Sequence, residues 1–168
     1  MVCAAEGKGV DADSALAWIE VQLERQAQAA GLSLAIADAS SGEALGCISL
    51  NARARPGMAP IGGPADGRLA FDVQVGTAGI GYWVLARARR RGLATTAVRL
   101  LTRWAMAEAG LRRVEALVES ANRPSLRVLE RSSFRREGLL RDYLDLGDGT
   151  RRDDAYVYSL IPGDLPAG

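Results

Sequence analysis

The residues from Arg87 to Ala94 combine a run of arginines with a glycine and the start of a helical pattern. They read "RARRRGLA", and the apolar residues that follow recur at helical spacing. The first turn of a helix leaves backbone N–H groups without partners, and the helix dipole adds partial positive charge there. Gly92 and Ala94 let a ligand come close to the backbone, and the arginines can add charge-assisted hydrogen bonds. This spacing predicts an anion site for a diphosphate-bearing cofactor.

Several other kinds of site do not fit the sequence. It holds neither GxxxxGK[ST] nor a GxGxxG that follows a strand, so two common phosphate motifs are excluded. The net charge is only +1, from 21 basic and 20 acidic side chains, which disfavours nucleic acid as the partner. There is no histidine, and Cys3 and Cys47 have no zinc-site spacing. We therefore expect a small anionic ligand, no metal and no nucleic-acid partner.

Length and composition set the broad class of the protein. A chain of 168 residues is long enough for one domain with a real core. No stretch is apolar over the length of a membrane span, and the first ten residues do not resemble a secretory signal. Two cysteines without a framework suit a reducing compartment. The expectation is a cytoplasmic protein without a membrane partner.

The hydrophobic pattern predicts an α+β domain, a mixed β-sheet flanked by packed helices. Helices are expected over 11–30, 93–110 and 122–131, and strands in a hairpin over 32–50, then over 69–75, 80–85 and 114–119, with a closing hairpin around a "GDG" turn. The predicted domain is 11–162, with a loose N-terminus at 1–10, a flexible loop at 51–67 and a tail at 163–168. The second helix is expected to bury Leu93, Ala97, Leu100, Leu101 and Trp104. Trp83 is likewise expected in the core.

Four features of the chain together resemble one enzyme superfamily. "RRRGLA" from Arg89 to Ala94 fits [RQ]-x-x-G-x-[GA], with "GYWV" before it and Thr95 after it. Downstream, "LRRVEALVESANRPSLRVLERSSFRREGLLRDYL" contains N-x-x-S, a "VLE" helix and F-x-x-E-G-x-L-R. The chain resembles the GNAT superfamily of acyl-CoA-dependent N-acetyltransferases. The downstream stretch is similar to the branch that acetylates the N-termini of ribosomal proteins on serine or alanine.

The resemblance implies how acetyl-CoA is held. The sheet is expected to splay between "GYWVL" and "VEALVE", so that the pantetheine arm enters a V-shaped gap. That arm is expected to contact the backbone of Trp83, Val84 and Leu85. The pyrophosphate is expected on the amides of Arg89, Arg90, Arg91, Gly92, Leu93, Ala94 and Thr95. Asn122 would contact the pantetheine side, and Ser125 would lie near the thioester sulfur.

The expected reaction is direct attack of a neutral amine on the acetyl carbonyl. The acceptor is a peptide or protein N-terminus or a small-molecule amine. Ser125 is the candidate acid or hydrogen-bond donor to the sulfur. The base stays open, because Ala78, Gly79 and Ile80 stand where many family members carry a glutamate. Glu115 on the next strand is the first candidate, and Asp72, Tyr143 and a relayed water are the others.

Departures from the family pattern leave a second hypothesis. Only ten unpatterned residues precede the first predicted helix, so either the chain lacks the usual first strand, its start is truncated, or a neighbouring subunit supplies the missing cover. An exposed sheet edge favours pairing with a second copy, which predicts a homodimer. Ser133 replaces the usual glycine at the end of the "VLE" helix. The missing strand glutamate also allows a non-catalytic acyl-CoA-binding module.

Overall fold

The computed structural model describes residues 12–27, 31–52, 76–145 and 152–165. The predicted strand at 69–75, which includes Asp72, lies outside the described residues. So do residues 1–10 and nearly all of the predicted loop at 51–67.

The observed elements follow the predicted order. The helices are α1 (Ala12–Ala27), α2 (Leu93–Ala107) and α3 (Arg123–Arg131), with short 3₁₀ turns at Ala86–Ala88 and Pro162–Asp164. The strands are β1 (Gly31–Ala37), β2 (Ala44–Ala52), β3 (Thr77–Val84), β4 (Arg113–Glu119), β5 (Arg135–Asp145) and β6 (Arg152–Leu160). Both predicted hairpins form, because β1 pairs antiparallel with β2 and β5 with β6. The α+β class is confirmed.

The six strands form one mixed sheet in the order β1-β2-β3-β4-β6-β5. The contact between β3 and β4 is parallel, and the other four contacts are antiparallel. The registered pairing of β3 with β4 covers three positions, from Thr77 with Arg113 to Gly79 with Glu115. Beyond Gly79, β3 continues to Val84 along β2 alone. The sheet is therefore splayed between its two central strands, as the resemblance implied.

Helices α2 and α3 pack on one face of this sheet. From α2 the buried side chains are Val98, Leu101, Thr102 and Ala105, and from α3 they are Leu126 and Leu129. They meet alternate residues of the central strands, namely Ala78 and Ile80 on β3 and Val114, Ala116 and Val118 on β4. Because strand side chains alternate between faces, the residues between them point away from α2 and α3. The sheet thus has a helix face and an opposite face.

Two predicted core tryptophans are not buried. Trp104 on α2 is 38% exposed, and Leu100 on the same side is 64% exposed. The helix instead turns Val98 and Ala105 into the core, and Thr102 can join them because its hydroxyl donates to the Val98 carbonyl at 2.8 Å. Trp83 is 40% exposed because it alternates with core residues of β3 and so lies on the opposite face. The core assignments of Trp83, Trp104 and Leu100 were therefore wrong.

The end of α3 shows how Ser133 replaces a glycine. Ser133 has a φ of +66°, in the left-handed region that favours glycine. Its N–H donates to the Glu130 carbonyl, and the next N–H, from Phe134, donates to the Leu129 carbonyl. Phe134 is buried, so its packing offsets the strain at Ser133. The usual helix end is kept despite the substitution.

Candidate active site

The opening between β3 and β4 exposes one edge of β3. In an antiparallel pair, successive residues direct their main-chain groups alternately toward and away from the partner strand. The Leu85 N–H donates to the Leu45 carbonyl at 2.8 Å, so Leu85 and, two residues earlier, Trp83 face β2. Tyr82 and Val84 therefore direct their N–H and C=O groups into the opening. Of the three residues expected to contact pantetheine, Val84 fits, whereas Tyr82 is a better candidate than Trp83 or Leu85.

The predicted anion site falls at the N-terminus of α2. Gly92 is its N-cap residue, with a φ of +80° and no side-chain cap, so the N–H groups of Leu93, Ala94 and Thr95 have no intrahelical acceptor. A Cβ at Gly92 would meet nothing within 4 Å, so the space beside it is open to a ligand. Unpaired donors, the positive end of the helix dipole and open space fit a diphosphate group.

The arginines before α2 contact the turn between β1 and β2. Arg87 Nη2 lies 2.5 Å from Glu43 Oε1, and Arg91 Nη2 lies 3.8 Å from Asp38 Oδ2. Hydrogen bonds from Ser40 and Ser41 lower the pKa of Asp38 to about 2, the Ser40 hydroxyl contributing most. Arg87 and Arg91 are more than half exposed, so these ion pairs are weak and can yield to a phosphate. No sequence pattern predicted this contact.

Arg89 takes a different partner. Its Nε donates to the Val84 carbonyl at 3.1 Å. This hydrogen bond holds the loop before α2 against the open edge of β3. Arg90 is exposed and has a φ of +62°, a second left-handed residue in the loop. The loop is therefore a tight, strained turn between the end of β3 and the start of α2.

Asn122 and Ser125 lie together at the start of α3. Asn122 is the N-cap residue, and its Oδ1 accepts a hydrogen bond from the Ser125 N–H at 3.2 Å. This is a structural capping contact. The Ser125 Oγ lies 2.9 Å from the hydroxyl of Tyr82 on β3. Burial raises the pKa of Tyr82 to about 12.

Tyr82 is a site residue that the sequence reasoning missed. The signal was present in "GYWV", because strand alternation puts Tyr82 on the helix face together with Ile80. Only the fold shows that α3 brings Ser125 next to the Tyr82 hydroxyl.

Glu115 lies on the opposite face, at the last paired position of β3 and β4. Its Oε1 accepts from Arg113 Nε at 2.7 Å. Arg113 also binds both carboxylate oxygens of Glu137, and the Ser159 hydroxyl donates to Glu137 at 2.6 Å. The two carboxylates raise the pKa of Arg113, the Glu137 hydrogen bond contributing most. One guanidinium between two carboxylates leaves this cluster with a net negative charge, which suits an ammonium ion nearby.

Glu115 and Ser125 do not contact each other, because they belong to opposite faces of the sheet. The opening between β3 and β4 connects the two faces. An acyl group lying in the opening would meet Ser125 from the helix face and Glu115 from the other.

The alternative bases have less support. Tyr143 is exposed, and its neighbour Leu144 pairs with Asp153 of β6, whereas Glu115 pairs with Ser159. Six residues along a strand separate these positions by roughly 20 Å. Asp72 lies outside the described residues.

The ion pair of Glu137 predicts how stability depends on pH. The Arg113 hydrogen bond, followed by that of Ser159, lowers the pKa of Glu137 to about 2. A lowered pKa adds stability that is complete above the ordinary glutamate value and is lost as the pH falls through about 2. Between about pH 5 and 2, we expect Glu137→Gln to lose less unfolding free energy than the wild type. The side chain is 43% exposed, so the difference is partial.

Urea unfolding at several pH values measures this difference. Glu119→Gln is the control, because it removes a carboxylate from the other end of β4. Equal pH dependence in the wild type and Glu137→Gln would contradict the role given to this ion pair.

The described residues lack two features, a helix that could span a membrane and a cluster of metal ligands. None of their helices has the length and apolar character needed to span a membrane. They also hold no group of three or more His, Cys, Asp or Glu residues placed to bind a metal ion.

The fold defines a class of protein: an α+β domain with an opening between two splayed parallel strands and an uncapped helix N-terminus after the first of them. Residues 4–135 match the family model described as an acetyltransferase (GNAT) domain. The chain belongs to the GNAT acetyltransferase family.

Individual relatives agree with this assignment. "Uncharacterized N-acetyltransferase p20" of Bacillus licheniformis is 40% identical over 91 residues, which are 54% of this chain and 50% of that protein. The chain spans about half the length of the curated relatives it matches.

Solved structures show the shared fold. Mycobacterium smegmatis RimJ in complex with CoA-disulfide has 24% identity and a TM-score of 0.73, covering 93% of this chain and 65% of that one. The ribosomal-protein-S5-alanine acetyltransferase of Vibrio fischeri has 16% identity and a TM-score of 0.73, covering 96% of this chain and 79% of that one. At these identities the two structures show the shared fold.

Proposed function

We propose that this protein transfers the acetyl group of acetyl-CoA to a primary amine. The observation that carries the proposal is the opening between β3 and β4, which leads from Glu115 to the uncapped N-terminus of α2 at Gly92. The open space beside Gly92 and the unpaired first-turn N–H groups fit the pyrophosphate of coenzyme A. The exposed edge of Tyr82 and Val84 fits the amide groups of pantetheine.

The residues of the chain suggest a division of roles. Acetyl-CoA supplies the activated thioester carbonyl. Glu115 takes a proton from the incoming ammonium, so that a neutral amine attacks. The N–H group of Tyr82 faces the opening and stabilises the negative charge that develops on the carbonyl oxygen, which leaves the N–H group of Val84 for pantetheine. Ser125 donates a hydrogen bond to the leaving sulfur, and the α2 N-terminus holds the pyrophosphate away from the reacting atoms.

For the acceptor we propose the α-amine of a peptide or protein. The solved structures with the same fold include RimJ and a ribosomal-protein-S5-alanine acetyltransferase. The net negative charge of the Arg113, Glu115 and Glu137 cluster suits a cationic N-terminus. A small-molecule amine is the alternative acceptor, and it would meet the same cluster.

A second candidate function is acyl-CoA binding without turnover. One observation favours it: β3 offers no carboxylate at the opening, because its residues there are Ala78, Gly79 and Ile80. Glu115, the first candidate for the base, is already bound to Arg113. In this function the cleft would bind acyl-CoA as a regulatory or interaction site.

One experiment separates the two functions. The purified protein is heated with and without acetyl-CoA, and thiol release is then followed with a panel of peptides and small amines. Stabilisation with thiol release supports acetyl transfer, and stabilisation without release supports the binding module. Absence of any stabilisation would overturn both proposals.

A further inference from the structure

A hydrogen bond between two hydroxyl groups crosses the opening on the helix face. The Tyr82 hydroxyl lies 2.9 Å from Ser125 Oγ and 3.3 Å from the Ser125 carbonyl oxygen. Tyr82 is on β3, three residues beyond the last pair with β4, and Ser125 is on the helix that follows β4. This contact therefore joins the two arms of the splayed sheet where their backbones have separated.

Both partners are held in place by other contacts. The Ser125 N–H is fixed by the Asn122 cap, and the next residue, Leu126, is buried in the core. Tyr82 lies opposite the buried Ile48 of β2 and packs against the same core. The distance between the two hydroxyls is thus set by the packing of the fold.

Either hydroxyl can donate in this hydrogen bond, and Tyr82 is able to be the donor. The Tyr82 proton has two acceptors within reach, the Ser125 Oγ at 2.9 Å and the Ser125 carbonyl at 3.3 Å. The shorter contact is the stronger one. When Tyr82 donates to Ser125 Oγ, the proton of Ser125 is left to donate to a third atom. A ligand in the opening can supply that atom.

A full proton transfer from this pair does not fit. The pKa of Tyr82 is raised to about 12 by burial. An ordinary thiol has a pKa of about 8.5, so moving the Tyr82 proton to a thiolate is unfavourable by about three powers of ten. Both hydroxyls therefore stay protonated.

We propose that Tyr82 is a positioning residue, which holds the Ser125 hydroxyl as a hydrogen-bond donor to the thiolate form of coenzyme A. The inference rests on the proposed site for coenzyme A. In the acetyl-transfer step the amine nitrogen bonds to the carbonyl carbon and the C–S bond breaks, with its electron pair leaving on sulfur. The base takes one proton from the ammonium before the attack, and the second proton that the nitrogen loses passes to water. Neither hydroxyl forms or breaks a covalent bond.

Binding of free coenzyme A tests this without requiring turnover. The Kd of coenzyme A is measured by calorimetry at about pH 7 and about pH 9, on either side of the ordinary thiol pKa. The same measurement with desulfo-coenzyme A corrects for every other group that titrates. We expect the wild type to gain several-fold in affinity for coenzyme A over desulfo-coenzyme A as the pH rises.

Three variants assign that gain to the hydroxyl pair. Tyr82→Phe and Ser125→Ala are each expected to abolish it, and the double variant to behave like Ser125→Ala alone. Tyr158→Phe is the matched control, because Tyr158 is also buried and donates to Glu130 of α3 at 3.2 Å. It is expected to keep the full gain.

The outcomes separate the two proposals. The positioning role would be overturned if the wild type showed no pH-dependent gain, or if Tyr82→Phe kept the full gain. This holds whether or not the protein catalyses acetyl transfer. Failure to acetylate any amine would overturn only the transferase proposal. If the protein is active, Tyr82→Phe is expected to lower kcat about tenfold with little change in the KM for acetyl-CoA, in line with the loss of one hydrogen bond.

Discussion

Replacing Glu115 with glutamine is expected to lower kcat/KM for amine acetylation by about 10²- to 10⁴-fold, the usual effect of removing a general base. The expectation follows from where the sheet divides. Glu115 pairs with Gly79 at the last registered position of β3 and β4, so its side chain lies where the opening begins. At that level β3 contributes only Gly79 and the buried Ala78 and Ile80.

The glutamine variant is a mild change for the fold. Glutamine has nearly the same size as glutamate, and its side-chain oxygen can still accept the Arg113 hydrogen bond. Arg113 also keeps its contacts with Glu137. A large loss of rate would therefore report the missing base and not a collapsed site.

Glu137→Gln is the matched control for this prediction. Both glutamates accept hydrogen bonds from Arg113, so both variants remove one carboxylate from the same guanidinium. Glu137 is on β5, two strands away from the opening, and its loss is expected to lower kcat/KM by less than about tenfold. Thiol release measured across pH gives the comparison. Equal losses in the two variants, or none in Glu115→Gln, would remove Glu115 as the base.

The sequence predicted those parts of the fold that local patterns determine. The two hairpins followed from alternating apolar residues, and α3 followed from the Asn122 cap, which the structure confirms. The buried side of α2 did not follow, because its apolar residues surround much of the helix. Which of them are buried depends on the tilt of α2 against β3 and α3, a tertiary property that periodicity does not contain.

The candidate site likewise has one part that local sequence patterns predicted and another part that they did not. Gly92 and the loop before it were found because the chemistry of a helix N-terminus is local in sequence. The Tyr82–Ser125 contact joins residues 43 positions apart, and Arg113 meets Glu137 across 24. Such contacts depend on strand order and register, neither of which a motif specifies. The helix N-terminus at Gly92 was thus predictable, whereas the partners of Ser125 and Glu115 were not.

Replacing Gly92 with aspartate is expected to raise the Kd for coenzyme A by about 10²-fold or more. The new carboxylate would stand in the open space at the α2 N-terminus, within a few ångströms of the bound diphosphate. Two like charges about 4 Å apart repel by about 4 kcal/mol at a protein surface, which is more than enough for this loss. The change would also strain the backbone, because Gly92 has a φ of +80°.

Strain and charge can be separated with two further variants. Gly92→Asn carries the strain without the charge, and asparagine tolerates left-handed backbone better than most residues. Gly110→Asp carries both, because Gly110 has a φ of +69° and open space around it, but it lies beyond the other end of α2. Strain affects the free and bound protein alike, so it lowers Tm without changing Kd. Repulsion acts only when the anion is bound.

Thermal unfolding and calorimetry with coenzyme A measure the two effects. All three variants are expected to lower Tm, whereas only Gly92→Asp is expected to raise Kd about 10²-fold or more. A Kd that rises equally in Gly92→Asn would mean that the shape of the loop matters more than its charge. A wild-type Kd in Gly92→Asp would place the pyrophosphate elsewhere, because a carboxylate cannot share the first turn of a helix with a bound diphosphate without cost.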